Sequence, residues 1–234
     1  MRLARWSIAL LLPILAACSQ ADSVAEPAQT STPSVTAPER KEVAGPERHI
    51  LAFGDSLFAG YGVGPTNSYP TKLEYALRER GINAIVTNAA VSGETSAAGA
   101  QRFAFALDAQ EVKPDLVILE LGGNDMLRGL APDETRANFA KMLGEARERK
   151  IPVLLMGMRA PPNYGPEYQR DFDALYGDLA EEYGAAIIPF WLESIYDKPA
   201  LFQDDRIHPT VEGIDALVGD TAAEVAAALE AVVG

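Results

Sequence analysis

From residue 49 onward the chain alternates short, continuously apolar runs with longer stretches in which apolar residues recur every three to four positions. The apolar runs are Ile50–Phe53, Ala84–Asn88, Leu116–Leu121, Val153–Met156 and Ala186–Pro189. Runs of this length without polar alternation predict strands covered on both faces. The periodic stretches predict helices over Tyr69–Arg80, near Ala97–Leu107, over Pro132–Lys150 and over Glu167–Tyr183, and a closing helix over Thr210–Val233. Thr71 and Glu74 have the spacing of a capping box near the first helix start. Gly81 and Gly184 follow helix ends, where a left-handed residue often closes the last turn. Strands alternating with helices imply the α/β class: a doubly wound, parallel, five-stranded sheet between helices, joined by right-handed crossovers. On such sheets the active site gathers at the C-terminal ends of the strands. There is no internal repeat.

The residues before 49 lack this periodicity. Residues 1–18 read as a lipoprotein signal peptide: Arg2 and Arg5 supply a charged start, and Ile8–Leu15 is an apolar run too short for a stable membrane span. The run closes on Leu15-Ala16-Ala17-Cys18, which resembles a bacterial lipobox and makes Cys18 the lipidation site. A plain secretory signal with an incidental Cys18 is the alternative. Ser19 follows the cysteine; by analogy with Gram-negative lipoproteins, the absence of Asp there points to the outer membrane, facing the periplasm. Residues 19–48, rich in Ala, Pro, Ser, Thr and Glu, read as a disordered tether, because they cannot bury enough apolar surface to offset the entropy of ordering. The folded domain is then expected over residues 49–234.

Charge and cysteine count remove several function classes. The formal net charge is −13, and loss of Arg2 and Arg5 with the leader makes it more negative by two. Such a surface repels polyanions, so no nucleic-acid partner is expected. With one cysteine, neither an internal disulfide nor a cysteine-based zinc site is possible, and no metal or cofactor is implied. The chain has two histidines, His49 and His208. His49 merely opens the first strand.

Candidate chemistry lies just after the first three strands and before the last helix. The first strand runs into Phe53-Gly54-Asp55-Ser56-Leu57, where a glycine turn lets Ser56 project from the sheet. Alone, Ser56 reads equally as a helix cap, and the motif is not a Gly-x-Ser-x-Gly elbow, because position 58 is Phe. After the second strand, Gly93 in Val91-Ser92-Gly93-Glu94 offers a backbone N–H. After the third, Asn124 in Gly122-Gly123-Asn124-Asp125 can turn an amide into the cleft. Near the end, Asp205-Arg206-Ile207-His208 places an Asp three residues before a His, close enough to orient its ring. Glu94 and Asp125 read as structural or solvated.

Ser56, Gly93, Asn124 and His208, in this order and at these places, resemble the four blocks of the SGNH/GDSL hydrolase superfamily. Three longer stretches, Gly54-Asp55-Ser56-Leu57 with Gly60-Tyr61-Gly62, Glu120–Asp125 with Leu127-Arg128-Gly129, and Phe202–Asp205 with Ile207-His208-Pro209, are similar to one branch: periplasmic acyl-CoA thioesterase/lysophospholipases and arylesterases. Met158–Gly165 looks like that branch too. The resemblance covers residues 49–234 and implies the flavodoxin-like fold of the superfamily. It also implies a serine esterase with Ser56 as nucleophile, His208 as its base and Asp205 orienting the ring. The N–H groups of Ser56 and Gly93 and the Asn124 amide would form the oxyanion hole. One departure is Arg206, where the branch commonly has glycine.

Small-molecule acyl or aryl esters, thioesters and lysophospholipids are the substrates the resemblance implies. Export and negative charge both favour neutral or zwitterionic esters over acyl-CoA. A carbohydrate O-deacetylase on the same fold would need a wide polar cleft, whereas Pro161–Tyr164 and Phe202 suggest an apolar wall. A non-catalytic envelope-binding lipoprotein is the reading from another class.

Overall fold

The computed structural model describes residues 40–231. The signal peptide over 1–18, the lipidation site Cys18 and most of the tether lie outside the described residues.

Five strands form one parallel sheet: β1 (Arg48–Phe53), β2 (Ala84–Asn88), β3 (Leu116–Leu119), β4 (Val153–Met156) and β5 (Ala186–Ile188), in the order β2-β1-β3-β4-β5. Seven helices accompany them: α1 (Ser56–Ala59), α2 (Tyr69–Glu79), α3 (Ser96–Asp108), α4 (Gly123–Leu127), α5 (Pro132–Glu148), α6 (Pro166–Tyr183) and α7 (Val211–Glu230). α2 packs against α7, while α5 packs against both α3 and α6. Right-handed crossovers put these two groups on opposite faces of the sheet. The order 2-1-3-4-5 is that of flavodoxin-like sheets, and it reverses between β1 and β3, where a crevice opens at the strand ends.

Burial explains the apolar runs. Every residue of β3 and β4, and Ile50–Phe53 of β1, is buried, as strands covered on both faces must be. The flanking strands β2 and β5 are partly exposed. α1 is backed by an aromatic cluster in which Phe58 stacks on Tyr69 at 4.9 Å and meets Trp191 edge-on at 5.5 Å. Tyr69 is anchored to α7 by a 2.7 Å bond between its hydroxyl and Thr221 Oγ1. A short helix that could not persist alone is held by this packing.

Three local expectations change. The expected capping box does not form: α2 starts at Tyr69, so Glu74 lies beyond the first turn, and Ser68 caps the helix instead. Glu74 accepts from Val86 N–H at 2.8 Å and pairs with Arg40 at 2.8 Å. Residues 40–48, expected at the end of a disordered tether, lie against α2 and β2: Arg78 Nε donates to Lys41 O (2.6 Å), and Asn83 Nδ2 to Gly45 O (3.0 Å). The ordered chain thus begins ahead of the expected boundary at residue 49, with polar side chains supplying what the apolar pattern lacks. β3 ends at Leu119, not Leu121; Glu120 still donates to Phe53 O, after which the backbone turns through Gly122. Gly81 and Gly184 take positive φ at helix ends, as expected.

Candidate active site

The turn from β1 into α1 puts Ser56 at the first position of a helix, 8% exposed, at the mouth of the crevice. Asp55 caps α1, its Oδ1 accepting from Leu57 N–H at 3.0 Å. Gly54 is required by close packing rather than by backbone angle: a Cβ there would lie 2.7 Å from Glu120 Oε2 and 2.8 Å from Glu120 O. The Gly-Asp-Ser triplet therefore combines a close approach, a cap and a hydroxyl placed at the crevice.

His208 comes to Ser56 from the far end of the chain. Its Nε2 lies 2.8 Å from Ser56 Oγ, and its Nδ1 lies 2.6 Å from Asp205 Oδ2. Asp205 Oδ1 also accepts from the N–H groups of Ile207 (2.9 Å) and His208 (3.0 Å). Desolvation pushes the Asp205 carboxyl upward, but the His208 N–H and ring together with the Ile207 N–H outweigh it and hold it at about 2. The carboxylate is ionised at every working pH, as an acceptor for a ring N–H must be. The loop is pinned by Gln203, whose Nε2 donates to Tyr61 O (2.8 Å) and Pro209 O (2.9 Å). The Tyr61 ring lies over His208 with centroids 4.2 Å apart.

Gly93 follows β2 on a loop that Val91 N–H ties to Gly54 O at 3.0 Å, and Asn124 lies in the first turn of α4, after β3. Gly93 has φ +80°, an angle that L side chains rarely adopt, and Arg128 Nη2 donates to its carbonyl at 2.9 Å. Among the described residues, no carbonyl takes the Ser56 or Gly93 N–H. Asn124 Nδ2 donates one hydrogen to Asp55 Oδ2 at 2.8 Å, leaving its second for the crevice.

Beside Ser56 lies a cavity of about 320 Å³, walled by Leu57, Met126, Met158, Phe190, Leu192 and Phe202, with Arg159 and Arg206 at its border. Arg206 holds φ +59°, the left-handed region, which gives a physical reason why glycine suits this position. Glu94 and Asp125 stand clear of the reacting atoms. Glu94 forms a two-pronged pair with Arg102 at 2.6 Å, and Asp125 accepts from Ser96 N–H and from the Ser96 and Thr135 hydroxyls. His49 donates its N–H to Asp115 at the opposite end of β1. Asp55, Glu120 and Gln203 are residues that sequence reasoning did not single out; a fully buried carboxyl looks like a solvated one until its neighbours are known.

A serine–histidine–aspartate relay at the switch point of a flavodoxin-like sheet defines a serine hydrolase. The chain belongs to the GDSL-like lipase/acylhydrolase family, whose model matches residues 52–216, and it is a serine ester hydrolase. It is 42% identical over 162 residues to "Esterase TesA" of Pseudomonas aeruginosa, covering 69% of this chain and 80% of that protein. It is 38% identical over 160 residues to "Thioesterase 1/protease 1/lysophospholipase L1" of Escherichia coli, covering 68% of this chain and 74% of that one. Among solved structures it is similar to AlinE4, an SGNH-hydrolase family esterase, with 59% identity and a TM-score of 0.68 over 80% of this chain and 98% of that chain.

Proposed function

We propose that the chain hydrolyses esters with an apolar acyl or aryl group through an acyl-enzyme on Ser56. The observation that carries this reading is the continuous path Ser56 Oγ–His208 Nε2 (2.8 Å) and His208 Nδ1–Asp205 Oδ2 (2.6 Å), opening onto an apolar cavity. Ser56 Oγ attacks the carbonyl carbon while His208 Nε2 takes its proton. Asp205 fixes the ring tautomer and stabilises the imidazolium. The oxyanion is met by the N–H groups of Ser56 and Gly93 and by the free Asn124 N–H. It collapses with release of the alcohol or phenol, which leaves with the His208 proton, and water then cleaves the acyl-enzyme by the same route. An apolar wall favours alkyl and aryl groups over sugars, which supports this reading over carbohydrate O-deacetylation. Thioesters and lysophospholipids carry the same acyl group, and the negative charge of the chain favours substrates other than polyanionic CoA esters.

Ser56→Ala should remove nearly all turnover of a p-nitrophenyl ester and all labelling by a fluorophosphonate, with circular dichroism unchanged. Wild-type turnover in a folded Ser56→Ala protein would overturn the assignment. The same reading makes the protein an exported lipoprotein anchored through Cys18, with the outer membrane facing the periplasm as its place; support comes from the leader pattern. Cys18→Ala should abolish palmitate incorporation and membrane retention while leaving turnover of a soluble ester intact. Equal label in both proteins would refute the anchor.

A further inference from the structure

Directly beneath Ser56, two buried carboxyl groups meet. Asp55 is 1% exposed and Glu120 is fully buried. Asp55 N–H donates to Glu120 Oε2 at 3.2 Å. Two neighbouring buried carboxyls cannot both be ionised without large cost, so one is held protonated. Asp55 has two donors aimed at it, Leu57 N–H and the Asn124 amide. Glu120 Oε1 is buried with no hydrogen-bond partner among the described residues. The charge therefore belongs on Asp55 and the proton on Glu120. Burial, followed by the Asp55 charge, pushes the Glu120 carboxyl well above the usual carboxylate range, in agreement with that placement.

Burying such a pair is costly, and apolar residues of similar size would fill the space at less cost. What the pair supplies is direction. An amide that gives one hydrogen to a fixed carboxylate has its second hydrogen aimed as well. The position of Asp55 is in turn set by Glu120, which is close-packed against Gly54. We propose that Glu120 and Asp55 are positioning residues: Glu120 accepts the Asp55 N–H and so fixes the turn that carries Asp55, and the Asp55 carboxylate aims the Asn124 amide at the developing oxyanion. This rests on the reading of Asn124 as an oxyanion donor.

The test is a double-mutant cycle read as kcat and KM on p-nitrophenyl butyrate, with circular dichroism as the check on folding. Asn124→Ala should lower kcat by about 10²–10³. Asp55→Asn should lower kcat by at least about tenfold with little change in KM, and should add nothing to Asn124→Ala, because the two act on one hydrogen bond. Glu120→Gln, which keeps an acceptor for the Asp55 N–H, should stay within a few-fold of wild type, whereas Glu120→Ala should fall with Asp55→Asn. A folded Asp55→Asn whose loss multiplies that of Asn124→Ala would overturn the proposal, as would a folded Glu120→Gln as impaired as Glu120→Ala. Should Asp55→Asn fail to fold, the two Glu120 variants decide alone. An Asn124→Ala enzyme with wild-type kcat would instead remove the oxyanion reading on which the proposal stands.

Discussion

The two halves of the active site are built in opposite ways. Ser56, Asp55, Glu120 and Asn124 sit where β1 and β3 end, in a sheet whose central strands are buried on both faces. Asp205 and His208 sit on an exposed loop before α7, held by Gln203, by the His208–Asp205 bonds and by an isolated bridge between Phe202 and Pro209. In the buried half, the Glu120 carboxyl is pushed upward by desolvation, which favours its neutral form. In the loop half, N–H donors hold a carboxyl at about 2, and it works as an anion. Burial decides which task each acid performs.

The largest effect that separates the halves is expected at the loop. Asp205→Asn should lower kcat by roughly 10²–10⁴ by permitting the wrong ring tautomer, with KM little changed. The pH dependence of the native enzyme follows from the same group. Its depressed value means that its stabilising effect is complete above the unfolded carboxylate value near 3.9, and is lost as pH falls through about 2. An acid loss of activity above about pH 4 therefore belongs to another group. A kcat/KM profile of wild type against Asp205→Asn checks this: a limb that disappears in the variant would contradict it.

Two of the three proposed oxyanion donors should also differ. Asn124→Ala removes a donor, whereas Gly93→Ala leaves the N–H in place and strains the backbone at φ +80°. About 1–2 kcal/mol of strain predicts at most a roughly 5–30-fold loss in kcat, below that of Asn124→Ala. Equal losses would show that Gly93 matters for more than its backbone angle.

A stability effect follows in the buried half. A carboxyl raised by burial holds in the native state a proton that the unfolded chain releases, so native stability falls as pH rises above about 4.3. Glu120→Gln removes that dependence. Its melting temperature should gain on wild type steadily from pH 4 to pH 8; a constant difference would mean that Glu120 is ionised in the native protein.

The smallest effect is expected at Arg206, whose φ of +59° is strained for any residue with a Cβ. Arg206→Gly should stabilise by about 1 kcal/mol, or roughly 2–4 °C in melting temperature for a domain of this size. A lower melting temperature would show that the guanidinium makes a compensating contact.

The strands, the helices and the sheet class were legible in the sequence, which also offered Ser56, Gly93, Asn124, Asp205 and His208 as candidates; of these the structure puts Ser56, His208 and Asp205 in contact. Apolar runs and helical periodicity report burial directly, and a serine, a glycine and an asparagine at successive strand ends can converge only at one edge of a parallel sheet. The Asp205–His208 spacing is local, so three residues of chain suffice to make the contact. Other features were decided by tertiary structure alone. Glu120 stands as the one charged residue of the expected strand Leu116–Leu121, with nothing local to show where it goes, and it is fully buried because Gly54, 66 positions earlier in the chain, leaves room for it. Glu74 looked like a cap, but became a partner of β2 and Arg40 because α2 starts at Tyr69. The docking of residues 40–47 likewise depends on Arg78 and Asn83, polar groups with no periodicity to reveal them. In each case the partner is distant in sequence, and a polar side chain carries no local sign of whether its hydrogen bonds go to water or to another part of the chain.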